Sequence, residues 1–250
     1  MESEIKKLLE QLKLKGMSEK LDEILAATER NGDPPLILLK RLLQEQWRYT
    51  QERSMANRIK QAKLPWEWSI ESFPFEQQPK VSPSQIRSLA GLDFIQRTEN
   101  IVLIGPPGTG KSGLATGLLR EALINGYRGR FYNAQDLIDE LYASLADQSS
   151  ARLLKRLANY DLIVIDELGY LNLKPEQVNA FFKLMEMRYQ HKPTIITTNL
   201  EYEQWYELFG RKSLVDALLD RLRHQCTTIR IDGDSLRTPN KRLPDKKNRH

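Results

Sequence analysis

Residues Gly105 to Ser112 read GPPGTGKS, which places glycines, a lysine and a hydroxyl at the spacing of a phosphate-binding loop. Gly105, Gly108 and Gly110 supply the dihedrals such a turn needs, with Pro106, Pro107 and Thr109 between them. The loop is expected to turn several backbone N–H groups toward one point, where a triphosphate meets the positive end of the following helix. Lys111 is placed to sit between the outer phosphates, and the Ser112 hydroxyl to complete a magnesium shell. The chemistry implied is binding of a nucleoside triphosphate with Mg2+.

A second set of residues could act on that ligand. Asp161 to Glu167 reads DLIVIDE, a buried strand with two carboxylates at its C-terminal end, where ligands sit in a parallel sheet. Asp166 is expected to hold the magnesium. Glu167 is expected to orient and deprotonate the water that attacks the terminal phosphate. Thr194 to Asn199 is another short strand ending in an amide, and Asn199 is expected to position that water. Asn133 also ends a strand and could hydrogen-bond Glu167 away from the water until a ligand binds.

Positioning these groups requires alternating strands and helices. Apolar runs predict strands at 101–104, 129–133, 162–165 and 194–198. Between them fall the helix after the phosphate loop, to about Ile124, a helix carrying Leu137, Ile138, Leu141 and Leu145, and one over 178–189. Continuously apolar strands between helices mean an α/β fold with a parallel sheet covered on both faces.

The 250 residues suffice for this domain and a smaller helical one before it. Ile5, Leu8, Leu9 and Leu12 share one helical face, Gly16 interrupts, and Met17, Leu21, Ile24 and Leu25 form a second stripe. The turn 31–35, with Asp33 as cap and a proline at the first helical position, opens a third helix through Leu39, Leu42, Leu43 and Trp47 that runs to about Ala62 before Pro65 stops it. Residues 64–83 carry four prolines and the aromatics Trp66, Trp68, Phe73 and Phe75, and read as a connector docked on the following domain.

With 38 Lys and Arg against 33 Asp and Glu, the formal charge is +5. The stretch from Lys40 to Lys63 holds Lys40, Arg41, Arg48, Arg53, Arg58, Lys60 and Lys63 against only Glu45 and Glu52. Together with Trp47 and Tyr49, these residues are the expected contacts to a nucleic-acid phosphate backbone. The tail, 238–250, is again basic. Cys226 is the only cysteine, which excludes an intramolecular disulfide, and His191, His224 and His250 lack metal-ligand spacing. Without a signal-peptide pattern or an apolar run long enough to cross a bilayer, the expectation is a cytoplasmic protein with no membrane partner.

In this order the motifs resemble the AAA+ superfamily, and among it the IstB-like ATP-binding proteins, helper ATPases of insertion-sequence transposons, with bacterial helicase loaders as close relatives. The resemblance rests on Gly105 to Ser112, LIVIDELGY at 162–170, Thr197-Thr198-Asn199-Leu200, Asp220-Arg221-Leu222 with His224, and GDSLR at 233–237. LKLKGMSEKLDEIL at 12–25 and AKLPWEWSIESF at 62–73 extend it over most of the chain. It implies a bacterial protein with ATP as ligand, Asn199 as first sensor, and Arg237 as second sensor within the same subunit. It also implies Arg221 as an arginine finger acting on the neighbouring subunit's nucleotide, with Arg223 as fallback. A permanent planar cation suits charge spreading over a transferred phosphoryl group. Gly113 stands where the family commonly has histidine, and is expected to loosen the first helical turn by up to about 1 kcal/mol. Leu236 stands where an aromatic is common.

The expected organisation is a helical DNA-binding and assembly domain at 1–63, the connector at 64–83, a P-loop AAA+ ATPase domain at 84–237, and a basic tail at 238–250. The activity implied is ATP hydrolysis by a homo-oligomer with intersubunit ATP sites, which assembles on duplex DNA, remodels it and recruits a cognate transposase. The alternatives are a replicative helicase loader, or an architectural DNA-binding protein using ATP as an assembly switch.

Overall fold

The computed structural model describes residues 2–169, 171 and 173–237, apart from the side chains of Glu2 and Arg223. The basic tail at 238–250, Tyr170 of the LIVIDELGY motif and the Arg223 side chain lie outside the described residues. The chain forms two compact units, residues 1–60 and 61–250.

The first unit is helical. α1 (Glu2–Gln11) and α2 (Lys15–Asn31) are followed by α3, which runs from Pro35 to Ala62 and so continues into the second unit. The break between α1 and α2 falls at residues 12–14, where Lys13 has φ +60°, and not at Gly16 as the pattern suggested. Gly16 lies inside α2 because α3 crosses there. A Cβ on it would stand 2.6 Å from Tyr49 Cβ and 2.9 Å from Glu45 O. Met17 and Leu21 are buried, whereas Leu36, Leu39, Leu43 and Trp47 form an exposed stripe along α3. The Asp33 carboxylate, expected as a cap, pairs with Arg41 at 2.8 Å.

The second unit is a five-stranded parallel sheet in the order β2-β3-β4-β1-β5, built from β1 (Asn100–Ile104), β2 (Gly129–Asn133), β3 (Leu162–Asp166), β4 (Thr194–Thr198) and β5 (Cys226–Arg230). β1, β3 and β4 are fully buried, as expected of parallel strands covered on both faces. α4 (Pro83–Ala90) and α5 (Asp93–Gln96) lead into β1, and α6 (Lys111–Ile124) follows the phosphate loop. α7 (Ala134–Ala146), α8 (Ser150–Ala158) and α9 (Pro175–Arg188) cover the sheet, followed by α10 (Trp205–Phe209) and α11 (Lys212–His224). Strand residues alternate between faces. Val102, Ile104, Ile163, Ile165 and Ile196 join the core made with α7, α9, α10 and α11. α8 and β5 were not expected from sequence. No helix among the described residues is long and apolar enough to cross a membrane.

Arg188, at the end of α9, is 1% exposed and faces no carboxylate among its hydrogen-bond partners. Its guanidinium donates to Leu157 O and Tyr160 O, both at 2.9 Å, to Thr194 Oγ1 at 3.0 Å, and to Pro193 O. Burial pushes its pKa down to about 9, opposed by Asp161.

Candidate active site

The phosphate loop joins β1 to α6 and is gripped from two sides. Gly108 and Gly110 have φ +84° and +94°, which only glycine adopts freely. On one side, Ile231 N donates to Ile104 O and Leu236 N to Gly108 O, each at 2.8 Å. A Cβ at Gly105 would stand 1.9 Å from Ile231 O, and one at Gly108 2.2 Å from Ser235 Oγ. On the other side runs the aromatic segment 68–73. Phe73 lies on Gly110, the Trp68 ring on Gly113 and Ile70 on Gly117, with hypothetical Cβ distances of 2.7, 1.7 and 3.0 Å. The three glycines form a groove along the start of α6. Gly113 is therefore a close-approach position for the Trp68 ring, a reason for glycine there that local helix propensity does not reveal.

The polar groups are arranged by the ends of three strands. Asp166 is 5% exposed at the end of β3. Burial pushes its carboxyl pKa up, opposed by hydrogen bonds from Thr197 and Ser112. Thr197 Oγ1 donates to Asp166 Oδ1 at 2.5 Å and accepts from Glu167 N at 3.0 Å. Thr198 Oγ1 donates to Leu168 O and accepts from Leu200 N at 3.0 Å. Gly169 leaves room for the next side chain, since its Cβ would stand 2.2 Å from Asn199 Oδ1. The end of β4 thus clamps the chain leaving β3. Within that clamp, Glu167 has φ +62°, an uncommon conformation for a residue other than glycine.

Glu167 has a second partner. Asn133 Nδ2 donates to its Oε2 at 3.1 Å. Asn133 Oδ1 accepts from Gln135 N at 3.0 Å and caps α7, which fixes the direction of the amide. Lys111 Nζ donates to Pro106 O at 2.7 Å. Burial pushes its pKa down, Asp166 and Glu167 oppose that shift, and Arg237 adds to it.

One cavity of about 290 Å³ brings together Lys111, Ser112, Glu167, Asn199 and Arg237, with Asp166 reached through Ser112. The Ser112 hydroxyl and the Asp166 carboxylate are hard oxygen donors of the kind Mg2+ takes, leaving its other positions to phosphate and water. Among the described residues no group of three or more His, Cys, Asp or Glu offers a metal cage of its own. Trp66 and Trp68 also line this cavity, which the sequence reading of the connector did not foresee.

Arg221 is not brought to the cavity. It lies on α11, 3.5 Å from Glu186 and 5.6 Å from the centroid of the Tyr189 ring, and neither Asp216 nor Asp220 is its ion-pair partner. The expected DNA contacts Lys40, Arg41, Arg48, Arg53, Arg58 and Lys60 are on α3, and Lys63 follows it. Arg48 is paired with Glu45 at 2.6 Å and Glu52 at 2.9 Å, and Arg58 donates to Ser54 Oγ at 2.7 Å. Exposed pairs of this kind contribute little to stability and exchange readily.

A family model described as IstB-like ATP binding protein matches residues 7–244. The ATP-binding protein of insertion sequence IS21 from Pseudomonas aeruginosa is 36% identical over 239 residues, covering 96% of this chain and 90% of that protein. Its counterpart in insertion sequence IS5376 of Geobacillus stearothermophilus is 38% identical over 209 residues, covering 84% and 83%. Among solved structures, the DnaC helicase loader is similar with a TM-score of 0.52 and 25% identity, over 60% of this chain and 87% of that one.

Proposed function

The chain belongs to the IstB-like ATP-binding protein family, and from that membership we propose that it is an ATP-hydrolysing helper of an insertion-sequence transposon, which assembles on duplex DNA, remodels it and recruits the cognate transposase. The observation that carries the hydrolytic part is the convergence of Lys111, Ser112, Glu167, Asn199 and Arg237 on one cavity. Relatives borne by insertion sequences support the transposition part.

In this reading the loop amides and Lys111 hold the β- and γ-phosphates. Mg2+ held by Ser112 and Asp166 would neutralise charge on the outer phosphate oxygens. Glu167 takes the proton of the attacking water, and Asn199 fixes where that water sits. While Asn133 holds Glu167, the base is turned away from this task, so a movement at the end of β2 sets the rate. Arg237 reads the phosphate from within the subunit. Arg221, on a surface away from its own cavity, completes the site of a neighbouring copy and couples hydrolysis to assembly. The cations of α3 and Lys63 follow the DNA phosphates, and a multi-subunit surface of that charge offsets the several kcal/mol that bending the duplex costs.

The likeness to the DnaC helicase loader supports a second reading, delivery of a replicative helicase. One experiment separates them: ATP hydrolysis and oligomer size measured together, with duplex DNA, single-stranded DNA or neither, using Glu167→Gln as the trapped form. Nucleotide-dependent assembly on the duplex, stabilised by that variant, is expected for the transposition helper. Assembly that requires single strands would favour the loader, and a binding protein without hydrolysis on any DNA would be an architectural switch.

A further inference from the structure

We propose that Gln78 is a positioning residue for Arg237: its buried amide pins the turn at 232–236 beside the phosphate loop, and that anchor sets how well Arg237 meets the terminal phosphate. The inference rests on the reading of Arg237 as the group that senses this phosphate, and deepens it.

Arg237 needs an anchor for an electrostatic reason. It shares the cavity with Lys111, and its charge works against that of the lysine. Before a phosphate enters, two cations held in one cavity repel each other, so the backbone that carries Arg237 has to be fixed by other groups.

The turn before it is fixed residue by residue. Leu236 N donates to Gly108 O at 2.8 Å, and Ser235 stands where a side chain on Gly108 would be. Ser235 Oγ accepts from Arg237 N at 3.3 Å. Asp234 O accepts from Gln78 Nε2 at 2.7 Å. Gly233 lies against the same side chain, since a Cβ there would stand 2.1 Å from Gln78 Oε1 and 2.9 Å from Gln77 O. Asp232 pairs with Lys80, but both side chains are exposed, and such a pair holds little.

Gln78 is the buried anchor among these. It is 1% exposed, and the connector fixes its backbone through Gln78 N to Phe75 O at 3.0 Å and Val81 N to Gln78 O at 2.9 Å. Its amide has one workable orientation, because turning it over would set Oε1 against Asp234 O. In that orientation Oε1 is buried with no hydrogen-bond partner among the described residues. An apolar side chain of similar volume would avoid burying that oxygen, so stability alone does not call for glutamine here. What the amide adds is the donor to Asp234 O, three residues before Arg237.

The test measures ATP and ADP affinities of the full chain in the Glu167→Gln background, where ATP persists, for Gln78→Leu, Arg237→Ala and the two combined. Arg237→Ala is expected to lower the preference for ATP over ADP about tenfold. Gln78→Leu, similar in size but without the donor, should lower it severalfold and leave ADP affinity nearly unchanged. Combined with Arg237→Ala it should add nothing, because Gln78 acts through that arginine. Lys80→Ala cuts only the exposed pair and should keep the preference. Gly233→Ala forces the Gln78 amide aside, should match Gln78→Leu, and serves in its place if that variant does not fold. A full preference in folded Gln78→Leu or Gly233→Ala, effects of Gln78→Leu and Arg237→Ala that add, or an equal loss in Lys80→Ala overturns the inference. A preference that survives Arg237→Ala itself overturns instead the reading of Arg237 on which the inference rests.

Discussion

Asn133 Nδ2 donates to Glu167 Oε2 across the ends of two neighbouring strands, and the same amide caps α7 through its oxygen. One side chain therefore ties the expected catalytic base to the start of a helix. Asn133→Ala is expected to raise basal ATP hydrolysis severalfold and to shrink the further stimulation by duplex DNA. Loss of the cap costs about 1 kcal/mol of stability, which thermal unfolding would register separately. An unchanged ratio of DNA-stimulated to basal rate would show that this hydrogen bond restrains nothing.

Thr197 acts on both carboxylates through a single hydroxyl. Thr197→Val removes a donor to buried Asp166 and an acceptor for Glu167 N, at a cost to stability of about 1–3 kcal/mol. The expected kinetic signature is a turnover number reduced by about tenfold or more with little change in ATP affinity. Thr197→Ser, which keeps the hydroxyl, should recover the rate. Equal losses in the two variants would mean that packing, and not the hydroxyl, is what matters.

Asp166 should leave a mark on the pH dependence of stability. Its folded pKa is raised above the ordinary 3.8 by burial, so folding favours the protonated form. That contribution is complete below about pH 3.8 and is lost as pH rises through the folded pKa. At neutral pH without Mg2+ the charged carboxylate therefore costs stability. Asp166→Asn is expected to raise the thermal midpoint at pH 7 by a few degrees while abolishing hydrolysis. A lower midpoint in that variant at pH 7 would contradict the direction of the shift.

Arg221 rests on Glu186 and Tyr189, away from its own cavity. If it serves a neighbour, Arg221→Ala and Lys111→Ala should each be inactive alone, yet mixing them should recover part of the hydrolysis. Every mixed interface that pairs an intact loop with an intact finger is competent. No recovery in mixed assemblies of confirmed composition would remove Arg221 from that role.

How far the sequence could be read depended on whether the governing interactions are local. The phosphate loop, the strands at 129–133 and 194–198 and the end of α3 at Ala62 were legible because glycine spacing, apolar runs and proline stops are local signals. β5 was not. Its sequence CTTIR has one large aliphatic residue, and it is a strand because it pairs with β1, although Thr227 and Thr228 carried a weak β-branched signal. The break expected at Gly16 was misplaced, and the packing at Gly113 went unseen, for a common reason. Each is glycine because another segment passes over it, Tyr49 in one case and Trp68 in the other, and neither neighbour is visible in a local window. In the site, Lys111, Ser112, Asp166, Glu167 and Asn199 could be picked out by motif, whereas Thr197 and the two tryptophans are defined only by what folding sets beside them.

The buried guanidinium of Arg188 bears on how that folding proceeds. α8 has nine residues, too few to persist as a helix in isolation. The carbonyl groups of Leu157 at its end and Tyr160 just beyond are satisfied by Arg188, which also binds Pro193 and Thr194 at the start of β4. None of these segments can be completed alone, because leaving one out would strand a charged group in an apolar interior. A short helix, a longer helix and a central strand thereby share one buried guanidinium, so that opening any of them takes hydrogen-bond partners from a charged group in the interior.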